Sequence, residues 1–235
     1  MKKILSALLL VVSPLTFAGK ITATSWLVAD GEGRIIESQN AAQQRSIASI
    51  TKLMTAMVIL DADQDLDERL GQYTRKDHLQ LMLVNSNNQS ADILCENYQG
   101  GRSACITAMN WKAVNLGLHN THYADPSGLN VMNVSTAEEL VKIVIASSKY
   151  SEITKASNTA KGKIKKKKSY FAFNNTNPLV ATKDFIVSKT GYIRASGGCI
   201  VMMLDTKIGR RIVVLLNSKN THTRIPEANS LSLAY

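Results

Sequence analysis

Arg45-Ser46-Ile47-Ala48-Ser49-Ile50-Thr51-Lys52-Leu53-Met54-Thr55-Ala56 places a hydroxyl and an amine, Ser49 and Lys52, three residues apart. They stand where an apolar run, Leu53 to Leu60, begins. The run is hydrophobic almost all round, as expected of a helix buried inside a domain. Side chains at i and i+3 share a helix face, so the Lys52 amine can reach the Ser49 hydroxyl, as a base must to activate a weak nucleophile. Alone, Ser49 could equally be a helix cap and Lys52 a lysine that reaches out to water. Two further groups, Ser86-Asn87-Asn88 and Lys189-Thr190-Gly191, decide between these readings.

Outward from this helix the chain divides into strands at its ends and helices in its middle. Thr22–Ala29 and Arg34–Ser38 read as strands around the turn Asp30-Gly31-Glu32-Gly33. Cys199–Leu204 and Arg211–Asn217 form a second hairpin around Asp205–Gly209, and Lys189 precedes a strand starting near Gly197. Between them His78–Val84, Ser90–Tyr98 and Ser103–Leu116 read as short helices, the last stopped by Gly117. Asp125-Pro126-Ser127-Gly128 is a turn, and Ser135-Thr136-Ala137-Glu138 is a capping box opening a helix toward Ser147. The expected fold is α+β: one antiparallel sheet built from both chain ends, flanked by helices, with a helical lobe.

Lys2-Lys3, the apolar run Ile4–Val12 and Thr16-Phe17-Ala18 read as a signal peptide over residues 1–18. The run is shorter than the ~20 residues of a spanning helix. Residues 19–235 are then a single exported domain, with no later membrane span. Without Lys2 and Lys3, the 28 Lys+Arg fall to 26 against 18 Asp+Glu, a balance of +8. Such a surface favours polyanions, and for an exported chain a cell wall fits better than nucleic acid. The run Lys161-Gly162-Lys163-Ile164-Lys165-Lys166-Lys167-Lys168 reads first as a solvated hairpin whose charges discourage edge pairing, and second as a contact for an anionic polymer. Cys95 and Cys105 either pair across Gln99-Gly100-Gly101 or are small buried residues, and Cys199 belongs to the core. His78, His119, His122 and His222 show no paired ligand spacing, so neither a metal site nor a cofactor is expected.

Ser-x-x-Lys, Ser-x-Asn and Lys-Thr-Gly, in this order and at these wide gaps, are the motif set of β-lactamases and penicillin-binding proteins. With Met109-Asn110-Trp111-Lys112-Ala113, Leu116-Gly117-Leu118, Asp125-Pro126-Ser127-Gly128-Leu129 and Asn175-Thr176-Asn177, the chain resembles the low-molecular-mass penicillin-binding proteins. Within them it looks closest to the D-alanyl-D-alanine endopeptidases. The resemblance implies a β-lactamase/transpeptidase-like fold and a periplasmic serine DD-peptidase that cuts peptidoglycan cross-links. D-alanyl-D-alanine carboxypeptidase activity is the alternative, and β-lactams are implied as covalent inhibitors. It makes Ser49 the acylated nucleophile, Lys52 its base, Ser86 a proton relay and Asn88 a ligand for Lys52 and a substrate amide. Lys189, Thr190 and Gly191 would receive the substrate, with Lys189 also lowering the Lys52 pKa by repulsion. The backbone N–H groups of Ser49 and Tyr192 would form the oxyanion hole.

Two departures from the family pattern bear on the groove. Gly71–Lys76 is a short link where relatives carry an insertion, and Pro226 falls where a C-terminal helix is usual, so that helix is expected to be shortened, to start at Pro226, or to fray. A β-lactamase would need a water-activating glutamate, for which only Glu138 and Glu139 are placed. A wall-binding module without turnover is the reading from another class.

Overall fold

β1 (Ser25–Asp30) and β2 (Ile35–Gln39) form the first hairpin, and β9 (Val187–Ile193), β10 (Gly197–Thr206) and β11 (Gly209–Ser218) form the last. In the computed structural model, which describes residues 21–166 and 169–235, they make one antiparallel sheet in the order β2-β1-β11-β10-β9. The two chain ends therefore share a sheet, through Ser25 opposite Leu216 and Asp30 opposite Arg211. The expected leader lies outside the described residues. Three short ribbons complete the strands: β3 (Arg45–Ser46) with β6 (Val134–Ser135), β4 (Arg69–Leu70) with β5 (Tyr73–Thr74), and β7 (Lys161–Lys165) with β8 (Tyr170–Asn174).

The central strands are buried on both faces, which explains their near-continuous apolar sequences. Side chains alternate between the faces. Trp26, Val28, Ile200, Met202, Val213 and Leu215 pack against Ala228 and Leu231 of α7 (Arg224–Ala234). Leu27, Ala29, Val201, Met203, Ile212 and Val214 join the larger core with α1 (Thr51–Asp61) and α5 (Ala137–Ser147). In α1 every residue from Thr51 to Ile59 is buried. Truncating one such side chain, as in Leu53→Ala, costs about 2–5 kcal/mol.

The helical lobe consists of α2 (Arg75–Val84), α3 (Asn88–Glu96) and α4 (Gly101–Asn115), and α6 (Ser151–Ser157) packs beneath α2. A reciprocal capping box between Thr74 and Asp77 starts α2 earlier than its apolar pattern suggests. Gly117, with φ of +66°, follows α4 as expected. Cys95 and Cys105 are paired, tying α3 to α4, and Cys199 is a buried free thiol.

Two local expectations are corrected. The cap of α5 is Thr136, not Ser135: its hydroxyl accepts from the Glu139 N–H, while Ser135 is held in β6. The buried Glu139 carboxylate turns instead to the Asn120 N–H and the Thr121 hydroxyl. At the C-terminus, α7 begins at Arg224, before Pro226, and is a full helix. Pro226 sits in the first turn, where no intrahelical partner for an N–H exists, so the proline costs little. Glu227 anchors this helix by accepting from the Thr22 N–H and the Ser218 hydroxyl. No helix among the described residues is long and apolar enough to cross a membrane.

Loop closure makes the Cys95–Cys105 link worth about 2–3 kcal/mol to the lobe. Cys95→Ala/Cys105→Ala should lower the thermal midpoint while leaving the sheet intact, as followed by circular dichroism. An unchanged midpoint would contradict the link's stabilising role.

Candidate active site

Ser49 lies on a 3-10 turn, Ala48–Ile50, directly before α1, and Lys52 is on the first turn of that helix. The Lys52 Nζ is 2.8 Å from Ser49 Oγ, 2.7 Å from Asn88 Oδ1 and 2.5 Å from the Ser127 carbonyl oxygen. Two of these partners are carbonyl oxygens, which only accept. An uncharged amine satisfies both with its two N–H groups, leaving its lone pair for the Ser49 O–H. Lys52 is fully buried, and burial lowers its pKa to about 7, against an opposing pull from Asp125 and Asp92. Burial, one of the two expected causes, leads; Lys189, the second, does not figure, and among the described residues no carboxylate lies within ion-pair distance of the amine to offset the desolvation.

Ser86 and Lys189 form a second group. Lys189, on β9, donates to Ser86 Oγ at 2.8 Å and to the Thr190 carbonyl at 2.8 Å. It is buried, which pushes its pKa well below the ordinary lysine value, and nearby Lys52 and Arg224 add to the shift. Ser86 bridges α2 and α3 with φ of +59°, a left-handed backbone unusual for serine. Thr190 donates to Thr176 Oγ1 at 2.6 Å, so its hydroxyl proton must be redirected before it can serve a ligand. Asn88 opens α3, capped by the Asn87 side chain on the Ser90 N–H.

The structure thus brings Ser49, Lys52 and Asn88 into direct contact, with Ser86, Lys189 and Thr190 on the facing wall. Gly191 has a more specific reason than access for a substrate backbone. A Cβ there would lie 3.0 Å from both the Ile47 carbonyl oxygen and the Ser49 nitrogen. Any larger residue would press β9 a few tenths of an ångström away from the turn that carries Ser49. Tyr192 follows on β9, with an exposed side chain, and β9 pairs with β10 alone among the described strands.

Several supporting residues escaped the motif reading. Asp125 accepts from the N–H groups of Ser127 and Gly128, each at 2.6 Å, and from that of Asn130. Asn133 Nδ2 donates to the Asp125 carbonyl and to Thr51 Oγ1, both at 2.9 Å. Thr55 donates to the Pro126 carbonyl at 2.7 Å. Together they hold the Ser127 carbonyl over Lys52. From α7, Arg224 donates to the Gly191 carbonyl at 2.5 Å. The signal for the first set was the Asp-Pro-Ser-Gly stretch, which marked a turn without indicating what it carried. Glu138 is exposed and Glu139 is spent on Asn120 and Thr121, so neither serves the Ser49–Lys52 pair. A cavity of about 880 Å³ near the β10–β11 turn, lined by Phe185, Leu204 and Ile208 among others, contains none of these residues.

A serine hydroxyl paired with a buried amine beside the edge of an antiparallel sheet defines a serine acyl-transfer enzyme. A family model described as D-alanyl-D-alanine carboxypeptidase, peptidase family S11, matches residues 12–71 and 66–220, and the chain belongs to this family. A D-alanyl-D-alanine endopeptidase of Pseudomonas aeruginosa is 36% identical over 237 residues, covering 90% of this chain and 76% of that protein. One from Escherichia coli K12 is 35% identical with the same coverage. The crystal structure of the Streptomyces K15 DD-transpeptidase superposes with a TM-score of 0.80 at 26% identity, over 91% of this chain and 97% of that one. The chain is accordingly a serine-type DD-peptidase, a hydrolase, with the β-lactamase-like fold.

Gly128 offers a sharp test of this geometry. Its φ is +84°, and an added Cβ would lie 2.0 Å from the Ala48 carbonyl oxygen and 2.9 Å from the Ser49 nitrogen. Gly128→Ala should displace the Ser49 turn and slow acylation by a labelled penicillin by roughly a hundredfold. Labelling at the parent rate would show that the turn tolerates the shift.

Proposed function

We propose that the chain is an exported enzyme that cleaves D-alanyl cross-links of peptidoglycan through a Ser49 acyl-enzyme. The observation that carries this reading is the Lys52 amine, buried, 2.8 Å from Ser49 Oγ and held by two carbonyl oxygens. In the proposed sequence, Ser49 Oγ attacks the D-alanyl carbonyl carbon and its proton passes to Lys52. The Ser49 and Tyr192 backbone N–H groups stabilise the oxyanion. As the C–N bond breaks, the proton moves to the leaving amine from Lys52, with Ser86 as relay. Water then attacks the ester by the same path and frees Ser49.

Lys189 and Thr190 receive a substrate carboxylate. An arriving carboxylate supplies the opposite charge that Lys189 otherwise lacks, and so favours its protonated form. The edge of β9 accepts the substrate backbone as an added strand. β-Lactams, whose strained amide acylates the same hydroxyl, act as covalent inhibitors. The 1–18 leader and the periplasm follow from the sequence pattern and from a substrate that lies outside the cytoplasm.

Endopeptidase is preferred over carboxypeptidase because the relatives at 36% and 35% identity carry that name. Cross-linked muropeptide dimers incubated with the protein should yield monomers by mass spectrometry, and Ser49→Ala should abolish this. Loss of a terminal D-alanine with intact dimers would transfer the assignment to carboxypeptidase.

The pH dependence has a definite sign. Protonated Lys52 cannot accept the Ser49 proton, so acylation should rise with pH through about 7 and level above it. Below that it should fall by about tenfold per pH unit. Stopped-flow labelling with a penicillin from pH 5 to 9 checks this; a flat profile across pH 7 would contradict a neutral lysine base.

A further inference from the structure

Lys161–Lys165 of the basic run form β7, paired with β8, and the placement of this hairpin gives it a role beside the site. Alternation along the strands puts Gly162 and Ile164 on one face, opposite Phe173 and Phe171. Ile164 and Phe173 are buried, and a Cβ on Gly162 would meet the Phe173 ring at 2.3 Å. Ile164 and Phe173 fix this face, while Phe171 is exposed. The other face carries Lys161, Lys163 and Lys165, across from Asn174, Ala172 and Tyr170, and all six residues are exposed. None of the ion pairs among the described residues involves these three lysines.

The hairpin springs from the wall of the candidate site. Its last residue, Asn174, accepts a bond from the Asn85 side chain, next to Ser86. Two residues further on, at most ~7 Å of chain, Thr176 bonds both the Val84 carbonyl and the Thr190 hydroxyl. From Asn174 to Tyr170 the strand runs another ~13 Å, with successive lysines about 7 Å apart. Edge protection alone needs no aromatic side chain among the lysines, yet Tyr170 stands directly opposite Lys165 with 68% of its surface exposed.

We propose that this face, Lys161, Lys163, Lys165 and Tyr170, docks the carboxylate-bearing wall polymer whose peptide enters the Ser49 site. The inference rests on the substrate class given under the proposed function. The lysines engage free carboxylates on the polymer outside the scissile bond, and the Tyr170 ring offers a flat apolar surface to its backbone or sugars. Such contacts act on capture of the polymer and leave the chemical step at Ser49 unaltered.

The test uses the full chain carrying Ser49→Ala, lipid-free purified sacculi, and a pelleting assay. Lys161→Gln/Lys163→Gln/Lys165→Gln should weaken sacculus binding roughly tenfold, the yield of three exposed ion pairs. The corresponding triple arginine variant should retain binding, and Tyr170→Ala should weaken it further. Amidating the sacculus carboxylates should produce the same loss as the glutamine variant. With Ser49 restored, the glutamine variant should be labelled by penicillin at the parent rate, which shows an intact fold. Equal pelleting of parent and glutamine variant overturns the proposal. So does loss in the arginine variant, indifference to amidation, or tighter binding of the parent to anionic phospholipid vesicles than to sacculi. Failure of the parent to label with penicillin would instead strike the Ser49 reading and leave the pelleting result to decide this one.

Discussion

Burial of the Lys52 amine is the constraint from which the rest of the site follows. Moving a lysine pKa from 10.5 to about 7 means that its surroundings disfavour the charged form by roughly 5 kcal/mol. The fold sustains this by placing α1 between the sheet and the helical lobe, where Lys52 is covered along with its apolar neighbours. Two carbonyl oxygens then satisfy the amine without neutralising a charge, because neither is a carboxylate. A carboxylate in either place would pull the pKa back up and remove the base. Asp125 exerts such a pull from a distance, but its carboxylate bonds the backbone N–H groups of Ser127, Gly128 and Asn130 and not the amine, and burial outweighs it.

The same constraint explains where the backbone is unusual. Ala48 and Ser86 both take left-handed conformations, with φ of +45° and +59°. Each flanks a hydroxyl-bearing part of the site, and each costs on the order of 1 kcal/mol that the packed surroundings must offset. Gly128 and Gly191 close in on the Ser49 turn from two sides, Gly128 at a distance that no Cβ would allow and Gly191 at one that a Cβ would crowd. The nucleophile is therefore clamped by backbone from the Asp125–Gly128 turn on one side and strand β9 on the other.

Much of this was legible in the sequence, for reasons that can be named. The buried strands of β10 and β11 and the all-apolar α1 are long enough for their patterns to identify them. Ser49, Lys52, Asn88 and Lys189 were legible because they sit in short motifs with fixed internal spacing. What the motifs could not convey were contacts made across long separations by common residues. Asn133 bonding Thr51 across 82 residues, and Arg224 bonding Gly191 across 33, leave no local pattern. The Ser127 contact was hidden for another reason: a backbone carbonyl has no residue type to recognise. The α5 cap was misplaced by one position because Ser135 and Thr136 are both good caps, and pairing of Ser135 with Arg45 in the β3–β6 ribbon decided between them. Pro226 misled because a proline is disfavoured inside a helix but tolerated in its first turn, and only the Thr223 boundary shows which case applies.

The central claim is that Lys52 is uncharged near neutral pH while it touches Ser49. The most direct measurement is an NMR titration of protein carrying 13C at lysine Cε, with Lys52 assigned by comparison with Lys52→Arg. The account predicts a single lysine titrating near about 7, lost in that variant. A Lys52 resonance that titrates only near the ordinary value of ~10.4 would contradict it.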